Sequence, residues 1–66
     1  MTITCATTDA AVAVLAVLID ARLTAGRDFH TAITVPFGPP ITYTVLVALP
    51  ADVLRQLRAI PDTTIA

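Results

Sequence analysis

Three residues in this chain have side chains that could do covalent or metal chemistry together: Cys5, Asp28 and His30. A thiol nucleophile needs a base within hydrogen-bond reach. Cys5 and His30 are the only cysteine and the only histidine, and there is no serine. They meet within one chain only if an N-terminal strand runs beside Phe29, with Asp28 orienting the imidazole. The simpler expectation is a small buried thiol and an imidazole at the start of a strand. Asp28 and His30 are two apart, so a strand would put both on one face, giving two metal ligands per chain or four across a symmetry axis. A closed zinc site needs four ligands, more than one cysteine and one histidine give a single chain. We expect no catalytic, cofactor-binding or metal-ligating residue, and no enzyme.

The remaining charges are spread out. General acid–base work by paired carboxylates needs two of them in one cleft. Asp9, Asp28 and Asp52 fall where elements begin and Asp62 follows the last one, so capping and solvation account for them. Asp20 sits inside an apolar run two residues before Arg22, and we expect it at a rim or beside an arginine. Arg55 and Arg58 are three apart and share a helix face. They are the candidate contact for an acidic protein or DNA partner. Yet the formal net charge is −1, from four basic and five acidic residues, so nucleic acid is not attracted over a distance. The only glycines are Gly26 and Gly38, which excludes a Gly-rich phosphate loop.

These residues have to be positioned by a short chain. Sixty-six residues allow one domain, 1–66, and a chain of this size buries only about 60% of its unfolded surface. Disulfides, metals or oligomerisation usually help such chains, and the lone cysteine excludes an internal disulfide. The chain is 56% hydrophobic and 14% charged, against about 45–50% and 25% in ordinary soluble domains. Alanine softens this excess without removing it, so we expect a homo-oligomer or an obligate protein partner. The narrow alphabet, with no Lys, Glu, Ser, Asn or Trp, fits a bacterial or phage source. Ala10–Ile19 is uninterrupted apolar sequence, shorter than the roughly twenty residues a membrane span needs. No basic region precedes it as in a signal peptide. A cytoplasmic or virion-associated protein is expected.

Periodicity supplies the elements. Thr2–Cys5 alternates with period two and suits a short strand. Asp9–Ala25 predicts a helix, capped by Thr8 or Asp9 and ended by a left-handed Gly26. It is apolar nearly all round: Val12, Leu15, Ile19 and Leu23 make one face, and Val14, Val17, Leu18 and Ala21 fill most of the rest. Such a helix is buried on more than one side. Phe29–Val35 and Ile41–Leu49 predict a hairpin around a Pro36–Pro40 loop, with Val35 opposite Ile41 and Ile33 opposite Tyr43. Odd positions then form the core face, and the even face is threonine-rich. Pro50–Ile60 predicts an amphipathic helix with Val53, Leu54, Leu57 and Ile60 inward, and Asp62–Ala66 reads as a tail.

Val45–Leu57, in which an apolar strand runs into Leu-Pro and a helix, resembles the strand-to-helix junction of ribbon–helix–helix and swapped-hairpin antitoxin repressors. That resemblance implies a dimer whose Ile41–Leu49 strands read DNA. However, Pro61 ends the last helix where the unit needs another, and the strand lacks the basic and amide residues that read bases. The order helix–strand–strand–helix also occurs in gas-vesicle shell subunits, without shared residues. The chain is assigned to neither family.

Taken together, the sequence predicts an α+β fold, a small α-β-β-α unit with room for a short N-terminal strand. The expected function is a non-enzymatic structural or assembly subunit that self-associates or coats a larger particle. Self-association would use Val14, Val17, Leu18 and Ala21 of the first helix and Thr42, Thr44 and Leu46 of the hairpin. The alternative is a small binding module, antitoxin-like or a phage inhibitor, acting through Arg55 and Arg58.

Overall fold

In a computed structural model, which describes residues 1–33, 38 and 40–66, the chain is α+β. The elements are β1 (Thr2–Cys5), α1 (Thr8–Asp20), β2 (Phe29–Ile33), β3 (Ile41–Val45), α2 (Ala51–Arg58) and β4 (Thr63–Ile65). The four strands form one antiparallel sheet in the order β2-β3-β1-β4. The crossover through α1 skips β3, and the crossover through α2 skips β1. This is the doubly split βαβ topology called ferredoxin-like.

The short N-terminal strand that the sequence allows is present as β1, and one further strand, β4, joins the expected elements. β1 is an interior strand, paired with β3 through Ile3↔Tyr43 and with β4 through Ile3↔Ile65. β4 replaces the expected tail. β2 and β3 are shorter than expected, and Ile33 lies opposite Ile41 rather than Tyr43. The register is displaced by two residues, so odd positions still face the core. Val35 and most of the expected Pro36–Pro40 loop lie outside the described residues.

Both helices lie on the odd face of the sheet. The core is Ile3, Cys5, Phe29, Tyr43 and Val45 below, with Ala10, Ala11, Val14, Leu18, Val53 and Leu57 above. Ala10 and Ala11 are small enough to let α1 approach the sheet. The Tyr43 hydroxyl donates to the Ala11 carbonyl at 2.9 Å, and the Phe29 and Tyr43 rings meet edge to face at 6.1 Å. A single copy closes this core. Its radius of gyration is 10.8 Å, the value expected for a globular domain of this length, about 11 Å. Its accessible surface of 4161 Å² is close to the roughly 4000 Å² of a monomer of its mass.

The ends of α1 differ from expectation at both termini. Thr7 is the N-cap, its Oγ1 accepting the Ala10 amide at 3.1 Å, one residue before the expected Thr8 or Asp9. The helix stops at Asp20, well before Ala25. The Leu23 amide reaches the Leu18 carbonyl at 3.1 Å, and the Arg22 amide reaches that of Ile19 at 2.9 Å. These two bonds make a Schellman motif whose left-handed residue is Arg22, at φ 65°. Leu23 packs onto the core behind it. Gly26, at φ 86°, serves the next turn instead. At the other crossover, Pro50 is the N-cap of α2, just ahead of its first turn.

A side chain with a Cβ is strained in the left-handed region. Arg22→Gly is therefore expected to stabilise the fold by about 0.5–1 kcal/mol, read as a higher urea midpoint at unchanged m-value.

Candidate functional site

The structure separates the three residues with chemical potential. Cys5 is wholly buried on the helix side of β1, opposite Ile41 and Thr63. His30 is exposed on the opposite face of the sheet, where it pairs with Thr44. One strand, β3, lies between β1 and β2. No Cys5–His30 pair forms within the chain, and burial pushes the Cys5 thiol up, with a weaker opposing effect from the Thr63 hydroxyl.

Asp28 is nearly buried and fully engaged. Its Oδ2 accepts the Thr24 amide at 2.7 Å, and both oxygens accept from the Arg27 guanidinium, at 3.1 and 3.3 Å. Its own amide donates to the Thr24 carbonyl, and its carbonyl accepts from Leu46, both at 2.8 Å. Asp28 thus closes the turn that carries the chain from α1 into β2, and its carboxylate faces that turn instead of His30. The Arg27 hydrogen bonds, then the Thr24 amide, hold its carboxyl below the usual carboxylate range. Among the described residues no group of three potential metal-ligating side chains comes together.

Four surfaces remain. The first is a cleft of about 310 Å³ between the N-terminus of α1 and the α2–β4 connection, lined by Thr7, Asp9, Ala10, Ala13, Ile60, Pro61 and Asp62. The second is the even face of the sheet, which no helix covers. Pairing sets His30, Thr44 and Thr2 in one row, and Ala32, Thr42, Thr4 and Thr64 in the next. Nucleic-acid readers built on a four-stranded sheet stack bases on aromatic side chains of this face. Here, among the described residues, it holds threonines, an alanine and one histidine.

The third surface is the outward side of α1. Val12 and Ile19 are 62% and 57% exposed, and exposed Ala16 lies between them. This corrects the residues expected to meet a second copy. Val14 and Leu18 are fully buried in the chain's own core, and Val17 and Ala21 are partly buried against it. The helix is covered on its sheet side and by α2, and its outer side is bare. Of the sheet positions, Thr44 and Leu46 are exposed and Thr42 is partly so. Leu46 lies just past the end of β3. The fourth surface is the outer face of α2, where Asp52, Arg55, Gln56 and Arg58 are all exposed.

Compared with protein-family models, curated proteins and solved structures, the chain has no significant match. A topology shared by many unrelated activities says nothing of function by itself, so the surfaces carry the functional reading.

Two measurements check the geometry of Asp28 and Cys5. The folded pKa of Asp28 lies below its unfolded value, so its contribution is fully present above the ordinary carboxylate value of about 3.9. That contribution is lost as pH falls through the folded pKa. Asp28→Asn should be less stable than the parent at pH 7, with the gap closing on acidification in pH-dependent urea titrations. Cys5, buried and protonated, should react with a neutral thiol reagent at pH 8 only as fast as the fold opens. Its labelling rate should rise steeply through the urea transition.

Proposed function

We propose that this chain is a non-enzymatic structural subunit that assembles with copies of itself, as a homo-oligomer or as a coat on a larger particle. The carrying observation is a contrast between the two helices. The outer face of α2 is Asp52, Arg55, Gln56 and Arg58, as a solvated helix should be. The outer face of α1 is Val12, Ala16 and Ile19, bordered by Asp9 and Asp20. Both helices belong to one small molecule, so its general hydrophobicity does not explain the difference.

Val12 and Ile19 are seven residues apart, about two helical turns, and form one stripe. Ala16 between them leaves room for another helix to approach. A stripe of this kind is self-complementary about a two-fold axis, which is how most homo-oligomers associate. Exposed Ile33, Leu46 and Val47 add apolar surface at the end of β2 and after β3. Neither edge strand carries a lysine or proline, the usual guards against pairing with another chain.

The second reading, a binding module, has its own observation. Arg55 and Arg58 are exposed, and among the described residues the sole ion pair is Arg27–Asp28. An acidic partner could meet both guanidiniums. Their position in the last turn of α2, where cations oppose the helix dipole, explains them without a partner, so self-association is preferred. A stoichiometric partner lost on Arg55→Ala with Arg58→Ala would reverse that preference.

Sedimentation equilibrium from micromolar to millimolar protein tests the proposal. The parent should associate. Val12→Gln with Ile19→Lys should weaken association at least tenfold, with stability of the isolated fold unchanged to within about 0.5 kcal/mol. A parent that stays monomeric throughout would refute self-association.

A further inference from the structure

We infer that β4 is exchanged between copies, the edge of β1 accepting Thr63–Ile65 of a second chain in the register it uses for its own. The inference rests on the proposed self-association and names one of its contacts.

β4 is a three-residue edge strand hydrogen-bonded within the sheet to β1 alone, with Ile65 packed against the core. Around it, Thr2 and Ala66 exchange amide bonds at 3.1 and 2.8 Å, and the Ala6 amide donates to the Asp62 carbonyl at 2.8 Å. All of these bonds can be made with the same atoms when β4 comes from another copy. Exchange therefore conserves the pairing Ile3↔Ile65, Thr4↔Thr64 and Cys5↔Thr63. What changes is the connection.

That connection is strained where it must bend. Between α2 and β4 the chain reverses through Pro61 and Asp62, and Asp62 has φ 60°. Aspartate enters this region more readily than most residues with a Cβ, but less readily than glycine. An extended connection returns Asp62 to negative φ and relieves the strain in both chains of a dimer. Short hinges under strain are what favour exchange of identical elements between protomers.

Few bonds hold the two residues of the hinge, Pro61 and Asp62, which are exposed. Ile60, Pro61 and Asp62 form one wall of the 310 Å³ cleft against α1, so this segment borders open space. Pro61 has no amide hydrogen to lose, and the Asp62 amide makes no hydrogen bond among the described residues. The local bond from the Thr63 hydroxyl to the Pro61 carbonyl, at 3.3 Å and exposed, is readily replaced by water.

Position 62 tests the exchange. Glycine adopts the left-handed conformation freely, so Asp62→Gly should favour the closed chain and weaken dimerisation tenfold or more. Proline cannot adopt it, so Asp62→Pro should open the hinge and strengthen dimerisation by at least as much. Size-exclusion chromatography with light scattering reads both. A reporter pair, Thr4→Cys with Thr64→Cys on a Cys5→Ala background, should then cross-link two chains in the Asp62→Pro dimer and close within one chain in Asp62→Gly. A folded Asp62→Pro protein that stays monomeric, or a cross-link that remains within one chain, would overturn the exchange. Should Asp62→Pro not fold, Asp62→Gly decides: unchanged association overturns it. A parent that associates with a constant indifferent to position 62 removes the exchange and leaves self-association standing. A parent that never associates removes both.

Discussion

The insertion of β1 between β3 and β4 is the constraint on which the rest of this structure depends. Ile3 and Cys5 have no exposed surface, and their strand is hydrogen-bonded on both sides. Without it, β4 has nothing to pair with and the sheet loses the floor beneath α1. The sequence distances are large: residues 2–5 pair with residues 41–44 and with 63–65. Closing such loops must precede the gain from pairing. The α1 crossover carries the chain over β1 and β3 to the far edge, and the β2–β3 hairpin returns it beside β1. The other edge of β1 is left open until the α2 crossover delivers β4.

That route explains why the turn from α1 into β2 is built so firmly. The helix has to stop and reverse within a few residues to place Phe29 in the sheet. The two bonds that end α1 at Arg22 and the closure by Asp28 do this in succession. The strain of a left-handed arginine is held by its neighbours on the C-terminal side: Leu23 on the core, and the Asp28 carboxylate, which accepts three hydrogen bonds. Asp28 and His30 look in the sequence like neighbours on one strand face, and their separation has the same cause. The carboxylate is committed to the turn before the strand begins.

Much of this could be read from the residues, and the failures have specific reasons. Period-two alternation correctly identified the short strand Thr2–Cys5 and put Phe29, Tyr43 and Val45 on the buried face of the hairpin, although Ile33 and Val47, read onto the same face, are exposed. The α2 pattern correctly identified Val53 and Leu57 as buried. Four features could not be read this way. Thr63–Ile65 is too short, and too close to Pro61, to look like anything but a tail. It becomes a strand because an interior strand has an edge to offer. Glycine is the usual marker of a left-handed cap, but at the end of α1 an arginine fills that role while Gly26 serves the next turn. The hairpin register differs by two residues from the one that a loop starting at Pro36 predicts. The inward side of α1 was hidden for a deeper reason. When a helix is apolar all round, its own pattern does not say which side goes in, and the side carrying Ala10, Ala11, Val14 and Leu18 is the one that is buried. Val12 and Ile19 stayed out.

The last point changes what the composition means. A surplus of apolar residues suggested that one copy could not shelter its own core, yet one copy does. The surplus lies on the outer side of α1 and around Leu46 and Val47. Exposed apolar side chains scattered singly are ordinary on protein surfaces. An aligned stripe on one helix, beside a second helix with a wholly polar outer face, is not scatter. A 66-residue fold with no disulfide has little stability in reserve, and binding of the folded form by any partner raises it by mass action. One chain can close the core by itself, so the proposed assembly through such a stripe would use surface that the core leaves uncovered.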